Sequence, residues 1–114
     1  GYEAVSIAGG AQTTALAMTN ATLSNARNAV VELTGTITGN QIVTIPDSIE
    51  KVYIVKNTTS GAYTVQFKTV SGTGPTFATT DKGTKILYAD GTNVTDLFSE
   101  LSQLNLTNQN EVRF

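Results

Sequence analysis

Residues 29–46, AVVELTGTITGNQIVTIP, decide how the rest of the chain is read. Ala29, Val31, Leu33 and Ile37 fall on one face of an alternating run, and Val30, Glu32, Thr34 and Thr36 fall on the other. A period of two is the signature of a half-buried strand. Gly39-Asn40 then reads as a two-residue turn into a second strand, 41–45, which Pro46 ends. The expectation is a β-hairpin.

The same pattern continues downstream. KVYIVKN (51–57) has apolar residues at adjacent positions between two lysines, which predicts a strand buried on both faces and a first choice for the core. In AYTVQFKTV (62–70), Tyr63, Val65 and Phe67 point one way and Thr64, Gln66 and Lys68 the other, with 58–62 as the preceding turn. Gly72, Gly74 and Pro75 mark a loop, a weak strand follows near Phe77, and a turn falls at 81–83. TKILYADGTNV (84–94) reads as a further hairpin, because an Asp90-Gly91 tip tolerates the positive φ angles of a tight turn.

About seven short strands separated by turn signals predict an all-β fold, a small antiparallel β-sandwich or jelly-roll-like domain. Composition agrees. Only 14% of the 114 residues are charged, against about 25% in ordinary domains. Twenty threonines, nine asparagines and ten glycines take their place, residues suited to pleated surfaces and tight turns.

The ends read differently. Residues 1–27 suggest an edge strand and a connection, 28–95 the sandwich core, and 96–114 a short helix or linker leading into a further module. Leu97, Leu101 and Leu104 recur at helical spacing beside Phe98, with Leu106 beyond, after a plausible N-cap in Thr95 or Asp96. A helix of about ten residues is marginal in water, so this stripe needs a surface to pack on, either the sandwich or a neighbouring subunit. The ending Val112-Arg113-Phe114 alternates like the start of another strand, as in a fragment of a longer protein.

Candidate chemistry is sparse. The chain has no histidine and no cysteine, which removes the commonest general base, the commonest metal ligand and thiol chemistry. Asp47, Glu50, Asp81, Asp90 and Asp96 sit at or beside separate turns, and no calcium-loop spacing is present. SGTGPT (71–76) lacks the lysine and the following helix of a phosphate loop. We therefore expect no enzyme, no cofactor and no metal. The net charge of −2 argues against nucleic acid, and no stretch has the 18 or so apolar residues of a membrane span. Sequons at Asn20, Asn57, Asn93 and Asn105 are of a kind that chance supplies in so Asn- and Thr-rich a chain. Tyr2, Tyr53, Tyr63 and Tyr88 are candidates for a sugar-binding surface, but three of the four lie within expected strands, which favours a structural place.

The blocks NAVVELTGTITGNQIVTIPDSIEKVYIVKNTTSGAYTVQFKTVSGTG and KILYADGTNV follow in that order within a segment from about Arg27 to Leu97, about 70 of the 114 residues. Together they resemble a β-rich module of the virion structural proteins of tailed bacteriophages, especially tail-fibre-like proteins of marine phages and cyanophages. The resemblance implies a structural or host-attachment part of a virion, assembled in the bacterial cytoplasm, trimeric where it belongs to a fibre, with no catalytic residues. It implies copies of itself and other virion proteins as partners.

Two readings of the surface follow. Leu97, Phe98, Leu101, Leu104 and Leu106 are candidates for a subunit interface. Thr58, Thr59, Ser60, Thr73 and Pro75 are candidates for exposed loop contacts with a host glycan or protein, as in a fibre tip or adhesin. A capsid-decorating role is a further alternative.

Overall fold

The computed structural model describes residues 2–17 and 29–97. Nine strands are present among them: β1 (Tyr2–Ser6), β2 (Gln12–Ala15), β3 (Val30–Thr34), β4 (Gln41–Ile45), β5 (Glu50–Asn57), β6 (Val65–Thr69), β7 (Thr76–Phe77), β8 (Thr84–Asp90) and β9 (Val94–Asp96). They form a five-stranded sheet, β1-β3-β5-β8-β9, and a four-stranded sheet, β2-β4-β6-β7. The expected all-β sandwich is therefore present. The additional strands come from the N-terminal stretch, where β1 and β2 supply an edge of each sheet.

The connectivity departs from the antiparallel expectation. β1, β3 and β5 run parallel in one sheet, and β2, β4 and β6 run parallel in the other. The chain alternates between the sheets, so it winds as a flattened coil. Residues 29–46 are accordingly not a hairpin. β3 and β4 belong to different sheets, and 35–40 is a corner between them. Likewise 58–64 carries the chain from β5 to β6 across the sandwich. Periodicity fixes which face of a strand is buried, but it does not distinguish a turn within one sheet from a corner between two.

Successive coils stack in register. Val30 lies opposite Ile54 and Leu33 opposite Asn57, then Thr36 opposite Ser60 at the corner, and Gln41 opposite Val65 through Ile45 opposite Thr69. Every one of these partners is twenty-four residues away. The corner keeps the ladder going: the Thr58 N–H donates to Leu33 O (2.9 Å), Ser60 to Gly35 O (2.9 Å), Ile37 to Ser60 O (2.8 Å) and Gln41 to Thr64 O (2.8 Å). The buried Gln41 amide reinforces it, its Nε2 donating to Gly10 O (2.7 Å) and Gly39 O (3.0 Å). Beyond β6 the winding stops. β8 pairs antiparallel with β5, β9 with β8 and β7 with β6, and this closes one end of the stack.

The core lies between the sheets. Val31, Leu33, Ile37, Val43, Ile45, Val55, Val65, Phe67, Phe77 and Leu87 are essentially inaccessible. Tyr53 and Phe67 meet across it edge to face, with centroids 5.6 Å apart at 62°. Burial pushes the Tyr53 phenol up to about 12. The expectation that β5 is buried on both faces is overturned. Tyr53, Val55 and Asn57 point inward, whereas Val52 is 46% exposed on the outer face. The C-terminal helix expected from the leucine spacing lies outside the described residues beyond Leu97.

Gly61 sets how closely the corners approach. Its φ is 113°, and a Cβ there would fall 2.2 Å from Ile37 O, a backbone atom of the coil beneath. Gly61→Ala is expected to destabilise the fold by about 2 to 3 kcal/mol or to prevent folding. Gly83→Ala, whose Cβ meets nothing closer than 3.8 Å, is the matched control and should be nearly silent. Urea unfolding of the two variants checks the contrast; equal effects would contradict the close corner packing.

Candidate interaction surfaces

Two clusters of loops sit at opposite ends of the strands, and each takes part of the exposed-loop set expected from the sequence. At the first end, 58–64 leaves β5 and packs on 35–40. Thr58 and Ser60 are exposed. The Thr58 hydroxyl lies 3.0 Å from both Glu32 Oε2 and Leu33 O, so it helps tie the corner to the preceding coil. Thr59 is not an exposed contact. It is 4% exposed, its hydroxyl donates to Asn57 Oδ1 (2.6 Å), and the Lys82 ammonium donates to its oxygen (3.1 Å) and to Gly61 O (2.8 Å).

Asn57 explains that inversion. It occupies an inward position in register with Leu33 and is fully buried, so its amide requires partners. Its Nδ2 donates to Asp81 O (3.0 Å), and its Oδ1 accepts from Thr59 N (3.2 Å) and Thr59 Oγ1. The sequon at this position is therefore a core polar network.

At the opposite end, three connections converge. Asp90 Oδ1 accepts the backbone N–H groups of Thr92 (2.8 Å) and Asn93 (2.8 Å), and Gly91 takes a φ of 94° in the expected β8-β9 hairpin. The Ser48 N–H donates to Gly91 O (2.8 Å), the Thr69 hydroxyl to Thr92 O (2.6 Å), and the Ser71 N–H to Asp47 Oδ1 (3.1 Å). Thr73 is exposed, but its N–H (2.9 Å) and hydroxyl (3.1 Å) both go to Asn93 Oδ1. Pro75 is half-buried and accepts the Phe67 N–H (3.0 Å) through its carbonyl. Between the loops lies an open, shallow pocket of about 250 Å³ lined by Asp47, Ser48, Ser71, Gly91 and Thr92. Its polar groups are mostly engaged in joining the loops, so it offers shape and a few residual acceptors rather than reactive groups.

Asp81 and Asp96 come together at Lys85, with Nζ to carboxylate distances of 3.0 and 3.5 Å. Partial burial of the Lys85 ammonium pulls its pKa down, but the hydrogen bond and attraction of Asp81, with Asp96 adding to them, leave it raised above the ordinary lysine value. The ammonium that bridges the two carboxylates also lies over the Phe77 ring, 5.2 Å from its centroid, so the group is an ion-pair network with a cation–π contact. No grouping of three or more His, Cys, Asp or Glu suited to a metal ion occurs among the described residues.

Of the expected interface residues, Leu97 is half-buried just after β9. Phe98, Leu101, Leu104 and Leu106 lie outside the described residues. Sequence reading missed the outer face of the five-stranded sheet. Val52, Ile54 and Ile86 alternate there with core residues, and adjacent apolar positions were the available signal.

No protein-family model matches the chain, and neither a curated protein nor a solved structure does.

Three carboxylates tie loops and strands in their ionised form. Hydrogen bonds from Ser71 hold Asp47 below the ordinary carboxylate value, those from the Asn93 and Thr92 backbone do so for Asp90, and those from Tyr2 and Thr58 for Glu32. A depressed folded pKa contributes stability that is complete above the unfolded value, about pH 4, and is lost as pH falls through the folded value. Melting temperature followed from pH 7 downward should drop in acid, and Asp47→Asn with Asp90→Asn should make that drop shallower. An acid limb unchanged in the double variant would contradict the assignment.

Proposed function

We propose that this chain is a structural module of a tailed-phage virion, in a tail fibre or related appendage, where it builds a homo-oligomer that the resemblance implies is trimeric. The observation that carries the reading is the unbroken parallel register between 30–45 and 54–69, corners included. A coil held to the next by backbone hydrogen bonds along its whole length suits a rigid, load-bearing spacer. The blocks that carry the resemblance span β3 to β6 and β8 to β9, which are the coil and its closing strands. The mechanism is mechanical: the sheets set spacing and direction, and surface residues join copies to one another and to other virion proteins.

A second reading, a host-receptor or glycan-binding module, is favoured by one feature. Tyr63 is 38% exposed in the same 58–64 connection as the exposed Thr58 and Ser60, which gives the first corner both an amphipathic ring and hydroxyls. Glycan-array binding abolished by Tyr63→Ala would support it.

Light scattering of the chain tests the first reading, with a trimer as the expected mass. Leu101→Asp combined with Leu104→Asp should lower the association constant at least tenfold, shifting the mass toward the monomer, while leaving the β-sheet circular dichroism unchanged. A chain that stays monomeric would overturn the assembly role.

A further inference from the structure

The outer face of the five-stranded sheet carries an apolar band set by register. Tyr2 lies opposite Val30, Val30 opposite Ile54, and Ile54 opposite Ile86, forming one row across four strands. Val52 opposite Tyr88 begins the next row. Tyr2 is 54% exposed, Val52 46% and Ile86 44%. With strands about 4.8 Å apart and same-face residues about 6.8 Å apart, these rows cover roughly 200 Å². These exposed apolar residues are not scattered singly but adjoin in one continuous band.

Charge borders the band on both sides and differs between them. On one side Glu50 lies directly opposite Asp90, two exposed carboxylates in one register position. Neither takes part in an ion pair among the described residues. Like charges so placed repel, and a cation brought to them is stabilising. On the other side of the band Lys56 lies opposite Glu32, whose carboxylate already accepts the hydroxyls of Tyr2 and Thr58.

We propose that this face is an interface with a second copy of the chain, packed back to back about a two-fold axis perpendicular to the strands. That rotation reverses the order of the rows. The Val52-Tyr88 row of one copy then covers the Ile54-Ile86 end of its partner's row, and Lys56 comes over Glu50. The contact is isologous, so each such match is made twice. The apolar area is well below the 800 Å² or so per partner of a standard interface, so it forms the dry centre of a weak pairing, with the charged rows as rim. The inference deepens the self-assembly reading above and rests on it, but it uses a surface separate from the leucine stripe. A two-fold contact here and a three-fold contact there would join copies between and within trimers.

The test is sedimentation equilibrium of the full chain from about 10 µM to about 1 mM, the range in which so small an interface would act. Val52→Lys combined with Ile86→Lys should weaken pairing at least a hundredfold. Val52→Thr combined with Ile86→Thr, which keeps strand-forming residues, should weaken it at least tenfold with an unchanged melting temperature. Lys56→Glu should weaken it, and adding Glu50→Lys should restore it. Assembly beyond the trimer that survives the threonine variant, or a charge swap without rescue, overturns the interface while leaving self-assembly through the leucine stripe intact. A wild-type chain that stays monomeric throughout overturns both.

Discussion

The parallel hydrogen-bond ladder, carried around the corner from β3 to β4 and from β5 to β6, is the constraint on which the other features depend. One offset of twenty-four residues relates β3 to β5, Thr36 to Ser60 at the corner, and β4 to β6, so these segments are fixed together. The core then follows: Val31, Leu33 and Val43 stack beneath Val55, Asn57 and Phe67 because the register puts them there. So does the place of Gly61, where backbone must pass backbone with no room for a side chain.

The same constraint explains why the loop surfaces are quiet. Corners that stack must satisfy their peptide groups against one another, and the hydroxyls and amides of Thr58, Thr59, Thr69, Thr73 and Asn93 are used in doing so. An abundance of threonine and asparagine here serves internal accounting of hydrogen bonds more than recognition. On the outer faces of the sheets, by contrast, alternation alone decides what is displayed.

Much of this was legible in the sequence. The alternation of Val31, Leu33 and Ile37, and of Val65 and Phe67, identified core positions correctly, whereas Ala29 and Tyr63, read on the same faces, are exposed; Asp90-Gly91 marked a tight hairpin in its true place. Topology was not legible. Gly39-Asn40 has the residues of a hairpin turn, yet the chain crosses between sheets there, because pairing partners are chosen by long-range register and not by the corner's own residues. Asn57 stood out in the sequence only as a sequon of the kind that chance supplies, although its inward position in β5 is set by the same alternation as Tyr53 and Val55. Val52 and Ile54 suggested burial on both faces, since apolarity alone does not separate a covered face from a displayed one.

The aromatic arrangement also divides the molecule optically. The chain has four tyrosines and no tryptophan, so tyrosine alone supplies its long-wavelength ultraviolet signal. Tyr53 is fixed against Phe67 in the interior, whereas Tyr2, Tyr63 and Tyr88 sit at the surface. The chirality of near-ultraviolet absorption therefore reports chiefly on the packing between the sheets, and collisional quenching of emission reports on the three outer rings. Interior and exterior of one small β-sandwich can be followed separately without introducing a label.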